Sequence, residues 1–306
     1  MGIVVIGATF IDVKGYPLSL YIPGGRNSGR VDQLHGGVCR NIVEDIANVE
    51  LRPTFLSVID PGGMGDDVIR KLENHKVNTD YIIRREDGMG TWLAIFDNSG
   101  DVVASISKRP DLSELTRLLQ EKGDEIIASC DAVALEFDIE TDTLKRVLQL
   151  ADQYRKPVYA AVSNMSIAIE RRDLIQRISC FVCNLQEAGI YFMENYEGKS
   201  PEEIVEILQK NCPSAGLSRM VVTMGSRGAA YYSAGEEAGI VPSVPVHVID
   251  TTGAGDAFFA GVTIGLTYGK TLKEACGIGA RLASSVITTK ENVCPRFLPE
   301  EFGLKL

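Results

Sequence analysis

The sequence predicts an α/β fold, a doubly wound, mostly parallel sheet flanked by helices, with a small β-sheet lid. Three observations carry this. Short apolar runs alternate with segments of helical periodicity along most of the 306 residues. The first run, residues 3–7, is continuously apolar, as a strand buried on both faces must be. One segment, 13–36, breaks the alternation with Gly15, Pro17, Pro23, Gly24, Gly25 and Gly29.

In chain order, the strand at 3–7 is followed by the irregular segment and a helix over 38–48. A strand at 54–59 and a helix at 66–75 come next. "TWLAIF" and "VVASI" flank the turn residues Asn98, Ser99 and Gly100, which predicts a hairpin. With 13–36, this hairpin (91–107) forms the expected lid. Asp111 is placed to cap a helix over 112–121. Strands at "DAVALEF", "PVYAAV", "CFVC" and "MVVTM" alternate with helices at 141–155, 166–176, 186–195 and 201–211. A β-rich stretch over 228–249 precedes two long helices, 255–267 and 271–287. With no internal repeat and no long linker, residues 1–306 read as a single domain.

Composition narrows the function classes. A net charge of −10 argues against general binding to nucleic acid or anionic membranes. No apolar run reaches the roughly 18 residues that a membrane span needs. The seven cysteines are scattered and mostly inside apolar segments, as reduced thiols of a cytoplasmic protein are. Cys180 and Cys183 have C-x-x-C spacing, but without a second pair or a histidine cluster they read as a buried strand.

"VHVIDTTGAGDAFFAG" reads as strand, glycine turn and helix, with Asp250 closing the strand. Gly253, Ala254 and Gly255 let the backbone approach a ligand. The free N–H groups of the helix's first turn then face it, with the positive end of the dipole behind them. This suits a bound anion or charge developing in a transition state. Asp256, at the helix start, either caps the helix or accepts a proton from a substrate hydroxyl. Asp250, with Thr251 and Thr252 beside it, suits a cation. A dinucleotide fingerprint starting at Gly253 fails at Phe258. "GLTYGKT" has the wrong glycine spacing for a P-loop and follows a helix.

"DTTGAGDAFFAG" resembles the C-terminal signature of the ribokinase-like (PfkB) carbohydrate kinases, and four further motifs in order extend the resemblance along nearly the whole chain. "VIGATFIDVKG" resembles the family's opening strand, which implies that Asp12 binds sugar. "HGGVCRN" resembles its Gly-Gly motif, which implies substrate contacts at Gly36, Gly37 and Asn41. "NLQE" resembles the N-x-x-E motif, in which Asn184 and Glu187 organise magnesium and phosphates, Glu187 through water. "VVTMGSRGAAYY" resembles the nucleotide segment, giving Thr223, Gly225 and Gly228. The resemblance implies ATP and Mg2+, Asp256 as catalytic base, Gly253–Gly255 as anion hole, and K+ near Asp250 and Thr252, with its remaining ligands from 287–295. Taken singly, Asp12 also reads as a turn residue, Asn41 as an exposed first-turn residue, "NLQE" as a capping box, and Gly225 and Gly228 as hairpin punctuation.

Within the family, "GGVCRN" is most similar to pseudouridine kinases, with Arg40 the distinctive letter. Pseudouridine is therefore the leading acceptor, with ribose, fructose or another nucleoside behind it. The loop at Asp60–Gly65 departs from the family pattern, so a non-catalytic sugar- or nucleoside-binding protein on the same fold is the alternative. Open lid edges suggest a homodimer formed through the lid.

Overall fold

The computed structural model describes residues 2–162 and 164–305. Its strands are β1 (Ile3–Ile6), β2 (Phe10–Pro17), β3 (Gly29–Gly36), β4 (Thr54–Ile59), β5 (Ile82–Arg84), β6 (Gly90–Phe96), β7 (Val102–Lys108), β8 (Ala132–Glu136), β9 (Val158–Ala161), β10 (Cys180–Asn184), β11 (Arg219–Thr223), β12 (Ala229–Ser233) and β13 (Ala238–Val241). Nine of them form one sheet in the order β13-β12-β11-β10-β9-β8-β1-β4-β5, parallel except at β12 and β13. The other four form a separate small sheet, β3-β2-β6-β7.

Strand periodicity explains why helices cover both faces of the large sheet. Val4 and Ile6 belong to one buried cluster and Ile3 and Val5 to the other. In β8, Val133 and Leu135 join the first cluster, and Ala132 and Ala134 the second. Successive side chains point to opposite faces, so a strand apolar at every position needs a core on each side.

The second core contains the helices Val38–Asn48 and Ala254–Thr267, which begin on either side of the candidate site. The helix Ala254–Thr267 lies very close to the helix Leu272–Val286. A Cβ at Gly261 would meet Gly279 Cα at 2.5 Å, and one at Gly265 would meet Ala275 Cα at 2.6 Å. Small residues thus let two backbones touch and fix the axis of the helix that carries Asp256.

Several boundaries differ from the sequence reading. β2 starts at Phe10, three residues before the expected lid segment, because Phe10–Gly15 also pairs in parallel with Gly90–Ile95. The small sheet is therefore four-stranded, with the predicted hairpin as half of it. The expected helix at 112–121 starts at Glu114; Asp111 Oδ1 accepts from Ser113 N ahead of it and caps nothing. The helix expected at 66–75 begins at Gly63. The one expected at 166–176 is two short helices, Met165–Glu170 and Arg172–Ile175. Residues 242–253 join no ladder, so Asp250 does not end a strand. Cys180 and Cys183 are buried free thiols in β10.

Gly261→Ala should destabilise the fold by about 1–3 kcal/mol through overpacking against Gly279, measured by urea unfolding. An unchanged midpoint would mean that the two helices separate freely.

Candidate functional site

The predicted substrate residues converge where β1 gives way to the small sheet. Asp12 is on β2, Gly36 closes β3, and Gly37 precedes the helix Val38–Asn48, whose first turn carries Asn41. A Cβ at Gly36 would lie 2.5 Å from both Asp12 carboxylate oxygens. Glycine there makes room for the carboxylate. Gly37 has φ 99°, and a Cβ on it would strike Ala8 O at 2.7 Å.

Asn41 is buried, contrary to its reading as an exposed residue, and its Nδ2 donates to Asp256 Oδ2 at 2.7 Å. Asp256 is the third residue of its helix and makes no capping hydrogen bond; Gly253, at φ 83°, occupies the N-cap position. The helix-cap alternative therefore fails on geometry. Protein surrounds the Asp256 carboxyl, which keeps only a partial opening to the cleft. Burial pushes its pKa up to about 7, the Asp12 charge adds to the rise, and the Asn41 hydrogen bond and Arg40 oppose it. Burial also raises Asp12, against the pull of Lys14 and Arg40.

Arg40 orients this pair. Its guanidinium is fully buried and is paired with Glu44 one turn on. It also donates to His35 O and to Asn41 Oδ1, each at 3.0 Å. An arginine only donates, so Asn41 must turn its oxygen to Arg40 and its NH2 group to Asp256. Glu44 receives further charge from Lys71 at 3.3 Å. The sequence marked Arg40 as distinctive but gave it no partner.

The three glycine-turn positions differ: Ala254 N–H already donates to Thr251 O at 3.3 Å. A Cβ on Gly253 would lie 2.0 Å from Asn292 O, whereas one on Gly255 would meet nothing within 4 Å. Gly253 is required by the protein itself, while Gly255 faces open space. Asn292, in the segment 287–295, also donates to His35 O at 2.8 Å.

The predicted nucleotide residues form a second group. Asn184 and Thr223 are paired neighbours at the carboxyl ends of β10 and β11. Glu187 N donates to Asn184 Oδ1 and Asn184 N to Glu187 Oε2, a reciprocal capping box, so the plain structural reading of "NLQE" holds. Burial raises the Glu187 pKa, the Asn184 N–H lowers it, and Asp138 raises it. Among the described residues, no three metal-binding side chains cluster. Magnesium that arrives with nucleotide phosphates needs only one or two carboxylates, and Glu187 with Asp138 meets that requirement. Gly225 and Gly228 follow β11 at φ 59° and 85°; a Cβ on Gly228 would strike Val241 O at 2.1 Å.

A cavity of about 300 Å³ opens between the two sheets, bordered by Phe10, Ser107, Arg109, Glu136 and Asp138. A larger one, about 440 Å³, is lined by Glu44, Lys71, His75 and Arg296 among others. Neither is lined by a predicted site residue, but the first opens at the carboxyl ends of the parallel strands, where ligands of open α/β sheets bind.

The family model described as "pfkB family carbohydrate kinase" matches residues 2–295. The chain belongs to the pfkB family of carbohydrate kinases. As a pfkB-family kinase it is a phosphotransferase acting on hydroxyl groups of sugars or nucleosides. It is 32% identical to a guanosine-inosine kinase of Exiguobacterium acetylicum over 95% of each chain. To a pseudouridine kinase of Escherichia coli it is 24% identical, over 95% of this chain and 93% of the relative. In structure it resembles an Arabidopsis thaliana ribokinase complexed with ribose and ATP (TM-score 0.82, 22% identity, 98% of each chain). A ribokinase from Giardia lamblia is similar at TM-score 0.83, with 19% identity over 96% of this chain and 97% of that one. Ribokinase-like kinases use ATP, usually with Mg2+. Among the described residues, no helix is long and apolar enough to cross a membrane.

Two alanine substitutions should separate the roles of the turn. Gly253→Ala should lower the melting temperature, because the Cβ strikes Asn292 and φ is positive. Gly255→Ala should leave stability unchanged or up to about 1 kcal/mol higher, as Ala usually does in a helix, while lowering turnover at least tenfold. Equal melting temperatures for the two variants would refute the distinction.

Proposed function

We propose that this kinase transfers the γ-phosphoryl group of ATP to the primary hydroxyl of a nucleoside. The observation that carries the reading is the Asn41–Asp256 hydrogen bond beside Asp12. It joins a carboxylate of raised pKa, at the head of the anion-accepting helix Ala254–Thr267, to the helix that follows the Gly36–Gly37 turn. Similarity to the guanosine-inosine kinase puts guanosine and inosine first among acceptors, ahead of pseudouridine, which the "GGVCRN" motif favours. Ribose and fructose follow.

Asp12, with Gly36 and Gly37, would bind the sugar hydroxyls, and the cavity near Phe10 would receive the base. Asn41 holds Asp256 Oδ2, leaving Oδ1 to accept the proton of the attacked hydroxyl. The N–H groups of Gly253 and Gly255 would take up charge on the phosphoryl oxygens, aided by the helix dipole, with Ala254 N–H turned to Thr251 O. When bound, ATP would supply the phosphoryl group and Mg2+ would offset its charge. On the chain's side, Asn184, Glu187, Thr223, Gly225 and Gly228 would hold the nucleotide, with Glu187 reaching the metal through water. The small sheet would act as a lid that excludes water. Its free edges make lid-to-lid dimerisation reasonable; sedimentation as a monomer at working concentration would exclude it.

Asp256→Asn should lower kcat by roughly 10²–10⁴-fold with little change in nucleotide affinity. In the wild type, log kcat/KM should rise with pH and level off above about 7, where the carboxyl is ionised. ATP consumption with guanosine, inosine, pseudouridine, ribose and fructose tests the assignment; no turnover on any of them would overturn it.

The same group ties activity to stability. A carboxyl with a raised folded pKa contributes stability that is complete below its ordinary value near 3.8 and is lost as pH rises through about 7. At pH 8, Asp256→Asn should therefore be more stable than wild type by on the order of 2–4 kcal/mol, the lower end allowing for water in the cleft. The difference should vanish near pH 4. Denaturant unfolding at both pH values checks it, and a variant less stable at pH 8 would contradict the assigned burial.

A further inference from the structure

The side-chain oxygens of Asp250 and Thr252, part of the set that the family resemblance assigns to a potassium ion, are already engaged within the chain. Asp250 Oδ1 accepts from Thr252 N at 2.9 Å. The other two side-chain oxygens face Lys14, whose Nζ lies 3.4 Å from Thr252 Oγ1 and 3.9 Å from Asp250 Oδ2. Lys14 is almost fully enclosed, with a side chain only 4% exposed. A buried ammonium persists only with compensating charge and acceptors, and Asp250 and Thr252 supply them. A second cation on these oxygens would sit beside the ammonium and be repelled. Asp250 and Thr252 therefore do not fit as a potassium site.

A lysine ammonium resembles a potassium ion in charge and closely in size. Lys14 also lies two residues from Asp12 on the same face of β2, with Asp32 and Ala94 as its cross-strand neighbours. Its charge acts on Asp12, while its acceptor Thr252 adjoins Gly253 at the head of the anion-accepting turn. One side chain thus links the small sheet to that turn.

We propose that Lys14 supplies, from within the chain, the positive charge that the Asp250–Thr252 loop would otherwise take from a monovalent cation, and so positions the Gly253–Gly255 turn without potassium. The proposal rests on the kinase reading above. Lys14 is a positioning residue: it acts through Thr252 and the turn.

The test compares phosphoryl transfer and thermal unfolding in choline, sodium, potassium and ammonium chloride at equal ionic strength, since general screening is then constant. Wild-type turnover should agree within about twofold across the salts, and its melting temperature should show no potassium-specific rise, because an ion that bound the native state would raise it. In choline, Lys14→Met should lose roughly 10²-fold in turnover, the scale of one lost electrostatic contact. Potassium or ammonium should restore part of that loss, which a merely structural role would not allow. Lys14→Arg keeps the charge and should fall between the two. Potassium raising wild-type turnover about tenfold or more, or raising its melting temperature specifically, would overturn the proposal, as would near-native turnover of Lys14→Met in choline. If Lys14→Met fails to fold, the wild-type salt series decides alone. If no acceptor is phosphorylated in any salt, the kinase reading fails, and the potassium dependence of unfolding still decides whether Lys14 holds the cation's place.

Discussion

Burial of the Arg40 guanidinium is the constraint on which the candidate site depends. Arginine stays charged at any accessible pH and offers only donors, so enclosing it forces acceptors to gather around it. Glu44 provides the counter-charge, and His35 O and Asn41 Oδ1 provide the rest. Arg40 Nε is left without a partner, a desolvation cost that the other contacts must offset. What the arrangement secures is direction. With its oxygen committed to Arg40, Asn41 can present only its NH2 group to Asp256: Arg40 donates to Glu44 on one side and to Asn41 on the other, and Asn41 donates in turn to Asp256. Reversing the Asn41 amide would set donor against donor at Arg40 and acceptor against acceptor at Asp256.

Backbone proximity is the second constraint. Gly36 leaves room for the Asp12 carboxylate, and Gly253 lets the turn lie against Asn292. Asn292 in turn holds His35 O, which also receives Arg40. Two distant parts of the sequence, 35–40 and 292, thus meet at one carbonyl oxygen. The burial that follows raises both Asp12 and Asp256. A carboxyl poised near neutrality suits the general base proposed at Asp256 and is unfavourable for folding, so that role would come at some cost in stability.

The fold was legible where periodicity was strong. β1, β4 and β8–β11 are short apolar runs between helical segments, and their parallel order follows from that alternation. The stretch before Asp250 misled because Val244, Val246 and Val248 alternate like a strand, yet all three are exposed and unpaired in any ladder. Alternation reports side-chain placement only when a neighbouring strand exists, and none adjoins this stretch. In the candidate site, the motifs led to Asp12, Asn41 and Asp256, but not to what joins them. The i, i+4 spacing of Arg40 and Glu44 was readable as an ion pair; that the pair points inward was not, because it depends on the helix at 254–267. Lys14 was equally within reach, since residues two apart on a strand share a face. Its partner Thr252 lies 238 positions away, and no local pattern encodes that contact.

Charge accounting shows how such a site can accept a polyanion. Asp12, Asp250 and Asp256 are gathered in a chain whose net charge is already −10. Arg40 is committed to Glu44 and Lys14 to Asp250, so neither is a spare cation that could draw in a nucleotide. Apart from Arg109 at the border of the cavity, attraction comes from groups without formal charge, namely the N–H groups of the glycine turn and the dipole behind them, and from a metal ion travelling with the phosphates. Those N–H groups point usefully only if the turn is rigid, and the turn is held on one side by Asn292 and on the other by the contact of Thr252 with Lys14. A phosphate site in an acidic protein is therefore a problem of backbone positioning first and of side-chain charge second, which is why glycine contacts and one buried lysine matter here more than any basic patch.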